Sequence, residues 1–249
     1  MSDWYCTLEC DAAGVPLVRV GLCMITGLVQ QEGRAIVMAR CHGLFASVDD
    51  LAHRATLTRR SLDALARAGA LNALAAHRRA AHWQAFGVER LPGALAGASA
   101  QEPVLMLPQA IEAEEIAADY AGLGLSLGRH PLALLRARFD RLHVHRAAEL
   151  AHLKSGRRVR VAGIVTHRQR PETASGVIFM SLEDETGISN LIVWPRIQTT
   201  QRAALFGARL IIVEGELQSA SNVTHVIAEK IRDYTAWLGR LPTQSRDFH

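Results

Sequence analysis

From Gly156 onward the apolar side chains recur at every second position, and no other feature limits so strongly what this chain can fold into. "RRVRVAGIVTH" puts Val159, Val161, Gly163 and Val165 on one parity, "GVIFMSLEDETG" runs as a strand into an acidic glycine turn, and "SNLIVWP" is a third strand closed by Pro195. Period two marks a half-buried strand, and a proline, which cannot donate to a ladder, ends one. "RIQTTQRAALFG" reads as helix, followed by "ARLIIVEGELQS" and "VTHVIAEKIRDY" as two more strands. Three strands, a helix, then two strands is the element order of the OB-fold, a five-stranded Greek-key barrel that binds oligonucleotides across strands two and three. Fold alone does not fix function, since small barrels also act as spacers. Phe179 and Trp194 fall on those two strands and are either stacking platforms for bases or core residues; the alternation leaves the phase open. Gly163, Gly176 and Gly215 fall where such a barrel bends.

The 249 residues are 49% hydrophobic, enough for one large core or two smaller ones. No run reaches the length of a membrane span, and the N-terminus "MSDWYCTLEC" lacks a basic-then-apolar signal, so a soluble, cytoplasmic protein without membrane partners is expected. Cys6, Cys10, Cys23 and Cys41 read as reduced thiols, with a zinc site through Cys6 and Cys10 as the alternative. The net charge of +4 is unevenly placed: residues 129–170 hold eleven arginines and lysines against Asp140 and Glu149, which gives +9 and leaves −5 elsewhere. A basic block in an otherwise acidic chain is the footprint of a polyanion binder. Lysine occurs only at 154 and 230, so arginine is the general cation here, and some of these arginines are simply solvated surface. Within the block, Arg157, Arg158, Arg160, Arg168 and Arg170 flank the first strand and are the expected contacts to single-stranded DNA.

Ahead of the barrel, "YCTLECDAAGVPLVRV" holds two short alternating runs around Asp11–Gly14, a β-hairpin that belongs to something larger. Residues 21–95 turn helical: Leu28, Ile36 and Val37 share a face, Ser47-x-x-Asp50 is a capping box, and Thr58 caps a run with Leu62, Leu65, Ala66 and Gly69 at helical spacing. Short helices joined by tight turns are either plain helical packing or helix-hairpin-helix modules that hold a DNA phosphate on turn amides. In the second case Gly27, in the turn "ITGL", supplies the amide cradle, and Arg59 and Arg60 at a helix start add phosphate contacts. Residues 92–108 read as a linker. Gly124, Ser126 and Gly128 match the G-x-S-x-G of a hydrolase elbow, but that elbow needs a strand before the serine, and here a helical pattern precedes it. The organisation expected is a hairpin at 1–20, a helix-hairpin-helix region at 21–95, a linker and helical connector at 96–155, the barrel at 156–235 and a tail at 236–249, an α+β chain.

"RQRPETASGVIFMSLEDETGISNLIVWP", "DYAGLGLSLGRHPLALLR" and "SRDFH" resemble the C-terminal part of the bacterial error-prone DNA polymerases, paralogues of the polymerase III alpha subunit, and the likeness runs from "SDWYCTLE" to His249. The resemblance implies DNA binding in damage-induced, translesion synthesis, with single-stranded and primed template DNA as partners, together with mutagenesis-complex subunits and the sliding clamp. No clear clamp-binding peptide is present, since Gln101 and Gln109 lack the aromatic ending of such peptides. It also implies that "LSLGRHPL" is a structural connector and that Ser126 has no catalytic partner. In that family the polymerase domain holds magnesium on clustered aspartates; this chain has no D-x-D pair, so neither catalytic residues nor a cofactor are expected in it. The expectation is a fragment without the chemistry, its hairpin the remnant of the polymerase domain's edge. The alternatives are the second half of a split polymerase and a free-standing single-strand-binding accessory protein.

Overall fold

The computed structural model describes residues 1–88, 107–171, 176–220, 223–239, 241 and 246–248, and the backbone packs as two units, Met1–Leu127 and Gly128–His249. The first begins with the antiparallel hairpin of β1 (Thr7–Cys10) and β2 (Pro16–Arg19). The Asp11 carboxylate closes its turn by accepting the Ala13 and Val15 amides at 2.8 and 2.9 Å, the local bonding that makes aspartate a turn residue. A 3-10 turn at Leu22–Met24 leads to α1 (Gln30–Arg40), α2 (Val48–Arg54), α3 (Arg59–Arg67), α4 (Asn72–Ala75), α5 (Arg78–Gly87) and α6 (Glu112–Leu123).

The helix starts follow their capping residues. Ser47 Oγ accepts the Asp50 amide at 3.0 Å and Thr58 Oγ1 the Ser61 amide at 3.3 Å. Asp50 departs from the expected box, since its carboxylate takes the Ala46 amide at 2.9 Å instead of that of Ser47. Leu62, Leu65 and Ala66 are buried with Ile36, Leu51, Leu57 and Leu71 in one apolar core. The expected linker lies, apart from residues 107 and 108, outside the described residues. The helix α6, inside the span read as linker and connector, packs in this first unit. Arg78, itself buried, draws it in by pairing with Glu115 at 2.6 Å and Asp119 at 2.5 Å. A buried guanidinium without carboxylates would cost several kcal/mol, so these acids are required wherever Arg78 is enclosed.

The second unit opens with a 3-10 turn at Pro131–Leu135, then α7 (Arg136–Arg141) and α8 (Ala147–Leu150). Then come β3 (Arg158–Gln169), β4 (Ile178–Asp184), β5 (Gly187–Val193), α9 (Pro195–Thr200), α10 (Arg202–Gly207), β6 (Leu210–Ala220), β7 (Val223–Asp233) and β8 (Arg246–Phe248). The strands from β3 to β7 close into a five-stranded barrel: β3 pairs with β4 and with β6, β4 with β5, β6 with β7, and β5 runs parallel to β7. This is the OB topology. The barrel interior is filled from all five strands, with Val161, Leu182, Leu191, Val213 and Val226 fully buried, each worth about 1.5–3 kcal/mol. Gly215 is required by contact: its Cα side faces the Ile227 carbonyl so closely that a Cβ there would overlap it, at a bulge between β6 and β7. Within the span read as tail, β8 adds in parallel to the end of β3.

Arg168 occupies the barrel floor. It is 6% exposed and donates from Nε to the Leu205 carbonyl at 2.8 Å and from Nη2 to the Ala208 carbonyl at 2.5 Å, tying β3 to the end of α10. Hydrogen bonds from a charged donor contribute about 1.5–3 kcal/mol each, and carbonyls at a helix end otherwise lack partners. Arg168→Leu is therefore expected to destabilise the barrel by on the order of 3 kcal/mol in denaturant titrations followed by circular dichroism. A shift within measurement error would remove the clamp from the account.

Acidification should weaken the fold through histidine before it reaches the carboxylates. Burial holds His130 below its usual 6.5, against the opposing pull of Glu183, Glu185 and Asp184. Burial, with Arg67 and Arg78 nearby, does the same to His82 on α5. Because the unfolded chain then takes up protons more readily, stability is full above pH 6.5 and is lost as pH falls below it. Burial alone would raise Glu185, but its bonds to Arg136 hold it below 4.5, so its contribution is lost only at lower pH. The expected result is a melting temperature lower at pH 5.5 than at pH 7.5, with the difference reduced in His130→Asn; a higher melting temperature at pH 5.5 would contradict it.

Candidate nucleic-acid interface

The phase of β4 settles which side chains face out. Ile178, Met180 and Leu182 are buried, so Phe179 and Ser181 lie on the outer face. Pairing carries that face across four strands. Gln169, Phe179, Ile192 and Ile227 form one cross-strand row, and His167, Ser181, Asn190 and His225 form the next. Together they border a shallow groove of about 210 Å³, lined by His167, Gln169, Phe179, Ser181, Asn190 and His225 with the edges of Met180 and Leu191. Among the described residues no carboxylate lines it. Ser181 Oγ donates to Asn190 Oδ1 at 3.4 Å, and His225 Nδ1 is buried without a hydrogen-bond partner among the described residues. One phenyl and two imidazole rings beside amide and hydroxyl groups suit stacking and edge contacts with unpaired bases.

Sequence reasoning missed His167, Asn190 and His225. Their parity with Phe179 could have found them, but only once the register was known, because β5 and β7 are separated by α9, α10 and β6. The bulge between Val165 and His167 accounts for the other error. Continuing the alternation of Val161 and Val165 would turn Arg168 outward; one inserted residue reverses the phase, so Arg168 points in and His167 out. Arg168 is therefore a structural clamp and is withdrawn from the DNA contacts. Trp194 is also displaced: it lies one residue beyond β5 as the N-cap of α9, 48% exposed.

The remaining barrel arginines divide by their partners. Arg158 pairs with Glu229 at 2.5 Å, and Arg160 with Glu214 at 3.1 Å and the Leu142 carbonyl. Elsewhere in the basic block, Arg136 forms two bonds to Glu185 at 2.6 and 2.8 Å, and Arg146 pairs with Glu149. Arg136, Arg158 and Arg160 are thus paired with acids outside the block, and Arg146 with one inside it. Arg157 and Arg170 are exposed, with no acidic partner among the described residues.

In the first unit, Gly27 is the third residue of a turn closed by Leu28 donating to the Ile25 carbonyl at 3.2 Å. Its φ of +89° is the left-handed value that turn position demands and that glycine adopts without strain. α1 follows directly. No side chain caps its N-terminus at Val29, which leaves first-turn amides without a side-chain acceptor at its positive end. Arg59 and Arg60 begin α3, which is different: Glu32 already accepts from the Thr58 amide and hydroxyl at 3.3 and 3.1 Å. A carboxylate at that helix start competes with a phosphate. Arg59 stacks on Phe86 at 4.5 Å, whereas Arg60 is exposed.

Farther on, Gly124 ends α6 with φ +75° and donates its amide to the Tyr120 carbonyl at 3.1 Å. A helix, not a strand, therefore enters the G-x-S-x-G segment, and the elbow geometry is absent at Ser126.

Replacing Arg157 and Arg170 together with serine should lower the log–log salt slope of single-stranded DNA binding by about 0.7 for every phosphate left without its cation. Arg158→Ser, which removes a charge already paired, should change it less. Equal effects from the two would mean that pairing does not sort these residues.

Residues 1–81 match the family described as helix-hairpin-helix motif, and residues 159–234 match the OB-fold nucleic acid binding domain. The whole chain is 49% identical over 253 aligned residues to a protein named Error-prone DNA polymerase from Azoarcus sp. (strain BH72), of which it covers 24%. It is 45% identical over 248 residues, again its whole length, to the protein of that name from Alkalilimnicola ehrlichii, also covering 24%. Among solved structures, asparaginyl-tRNA synthetase from Pyrococcus horikoshii is 29% identical over 31% of this chain and 20% of that one, with a TM-score of 0.27. The chain spans about a quarter of the length of the curated relatives it matches, and that quarter is their C-terminal part. With a helix-hairpin-helix match followed by a closed OB barrel, this chain is similar over its whole length to the C-terminal part of bacterial proteins named Error-prone DNA polymerase.

Proposed function

We propose that this chain is the template-holding module of an error-prone DNA polymerase, gripping duplex DNA with its helical unit and single-stranded template with its barrel. The observation that carries the reading is the pair of outward rows across β3, β4, β5 and β7, which set Phe179, His167 and His225 around a groove that no carboxylate among the described residues lines. Stacking on such a face is tolerant of sequence because every base has a π-face. The duplex contact is assigned to the Gly27 turn and the uncapped start of α1, where backbone amides meet phosphate without reading bases. Translesion synthesis, a cytoplasmic setting, and partners from a mutagenesis complex and the sliding clamp belong to the same proposal. Among the described residues, no helix is long and apolar enough to cross a membrane.

The magnesium ions of nucleotidyl transfer find no fitting ligand set among the described residues, where no group of three or more His, Cys, Asp or Glu side chains could hold a metal ion. No step of that transfer is assigned to this chain.

Two variants of the full chain separate the two grips. Phe179→Ala should weaken single-strand binding by about 1–3 kcal/mol and leave duplex binding in place. Gly27→Val, whose new Cβ would meet open space but whose backbone would be strained by about 1–3 kcal/mol, should weaken duplex binding to a similar extent for any sequence and spare the single strand. Fluorescence anisotropy with labelled oligonucleotides reads both. If both variants fold and neither affinity moves, the proposal fails.

A further inference from the structure

The hairpin at the start of the chain has two unlike faces. Directly opposed residues of an antiparallel pair share a face, so Leu8 with Val18 and Cys10 with Pro16 lie on one, and Thr7 with Arg19 and Glu9 with Leu17 on the other. The second face is mixed: Arg19 donates to both Glu9 carboxylate oxygens at 2.5 and 2.6 Å, beside a half-exposed Leu17. The first is wholly apolar and open: Leu8 is 78% and Val18 66% exposed, and Cys10 and Pro16 are exposed beside them. The hairpin is secured at its base, where the Leu22 and Cys23 amides donate to the Asp3 and Trp4 carbonyls at 2.9 Å and Trp4 packs against the helical core. Nothing among the described residues covers the apolar face.

Single exposed aliphatic residues are ordinary, but a continuous apolar ladder on one side of a two-stranded ribbon is not. Such a ribbon is marginal alone, and an amphipathic sheet buries its apolar side against another layer. The lengths of the relatives indicate the layer. This chain matches the C-terminal 24% of them, so about three quarters of their length precedes the position of Met1, and the hairpin is the first element after it. We propose that the Leu8–Val18–Cys10–Pro16 face is the docking surface for that preceding polypeptide, which lays an apolar face over it and orients the helical unit against it. The proposal rests on the family relation and not on nucleic-acid binding, so either can fail without the other.

Cys10 sits within the face and reports on its coverage. The experiment compares this chain alone with a chimera in which it replaces the matched C-terminal part of the Azoarcus relative. A thiol-reactive maleimide is applied, modification is located by mass spectrometry, and exposed Cys41, next to α1, serves as the internal reference. The expected result is that Cys10 reacts as readily as Cys41 in the chain alone and about tenfold more slowly in the chimera, while Cys41 is unchanged. Leu8→Asp with Val18→Asp in the chimera should restore Cys10 to its rate in the isolated chain. Undiminished Cys10 reactivity in the chimera would overturn the proposal. So would protection already present in the chain alone, which would mean that the barrel unit or a second copy covers the face, and so would protection that survives the double substitution.

Discussion

Closing the barrel requires β3 to serve two partners on opposite edges, β6 along Arg158–Ile164 and β4 along Ile164–Gln169. A flat strand cannot make that turn, and the residue inserted between Val165 and His167 takes up the bend. The same insertion reverses which side chains face the interior. Arg168 swings under the barrel, where the carbonyls of Leu205 and Ala208 offset the cost of burying it, and His167 and Gln169 swing out to border the groove. The floor of the barrel and one wall of its outer groove thus come from a single irregularity.

Charge follows a comparable division between structure and surface. Arg136 is committed to the acidic turn between β4 and β5, where Asp184 accepts the amides of Ala147, Thr186 and Gly187 at 2.8, 2.7 and 3.1 Å. Arg160 is bound to Glu214 on the neighbouring β6, and Arg158 reaches Glu229 on β7, one strand farther. A tally of arginines therefore overstates the field around the barrel; exposed pairs contribute little to stability, yet each removes a cation from the surface available to a polyanion.

The barrel was legible in the sequence because five strands and a helix leave a period and an order that few folds share. The caps at Ser47 and Thr58 were legible because they act within one turn of helix. What was hidden depends on distance or on a change of phase. The alternation of Val161 and Val165 predicts an outward Arg168 as long as no residue is inserted, and nothing in "VTHRQ" announces the insertion. His225 joins the groove only through a parallel pairing across α9, α10 and β6. Glu115 and Asp119 look like the solvated face of an amphipathic helix until Arg78, far back in the chain, is seen enclosed between them.

The turn at Gly27 is braced from outside its own neighbourhood: the Thr26 amide donates to the Gly122 carbonyl at 2.8 Å, and Gly122 lies against the backbone of Ala68. The turn is local in sequence, but its brace belongs to α6, the last helix of the unit. Joining Thr26 to Gly122 closes a long loop, and the entropy of that closure is met only after the helices between them have packed. The turn therefore completes its bonding late in folding and loses it early when the unit opens, so its rigidity measures whether the whole helical unit is assembled.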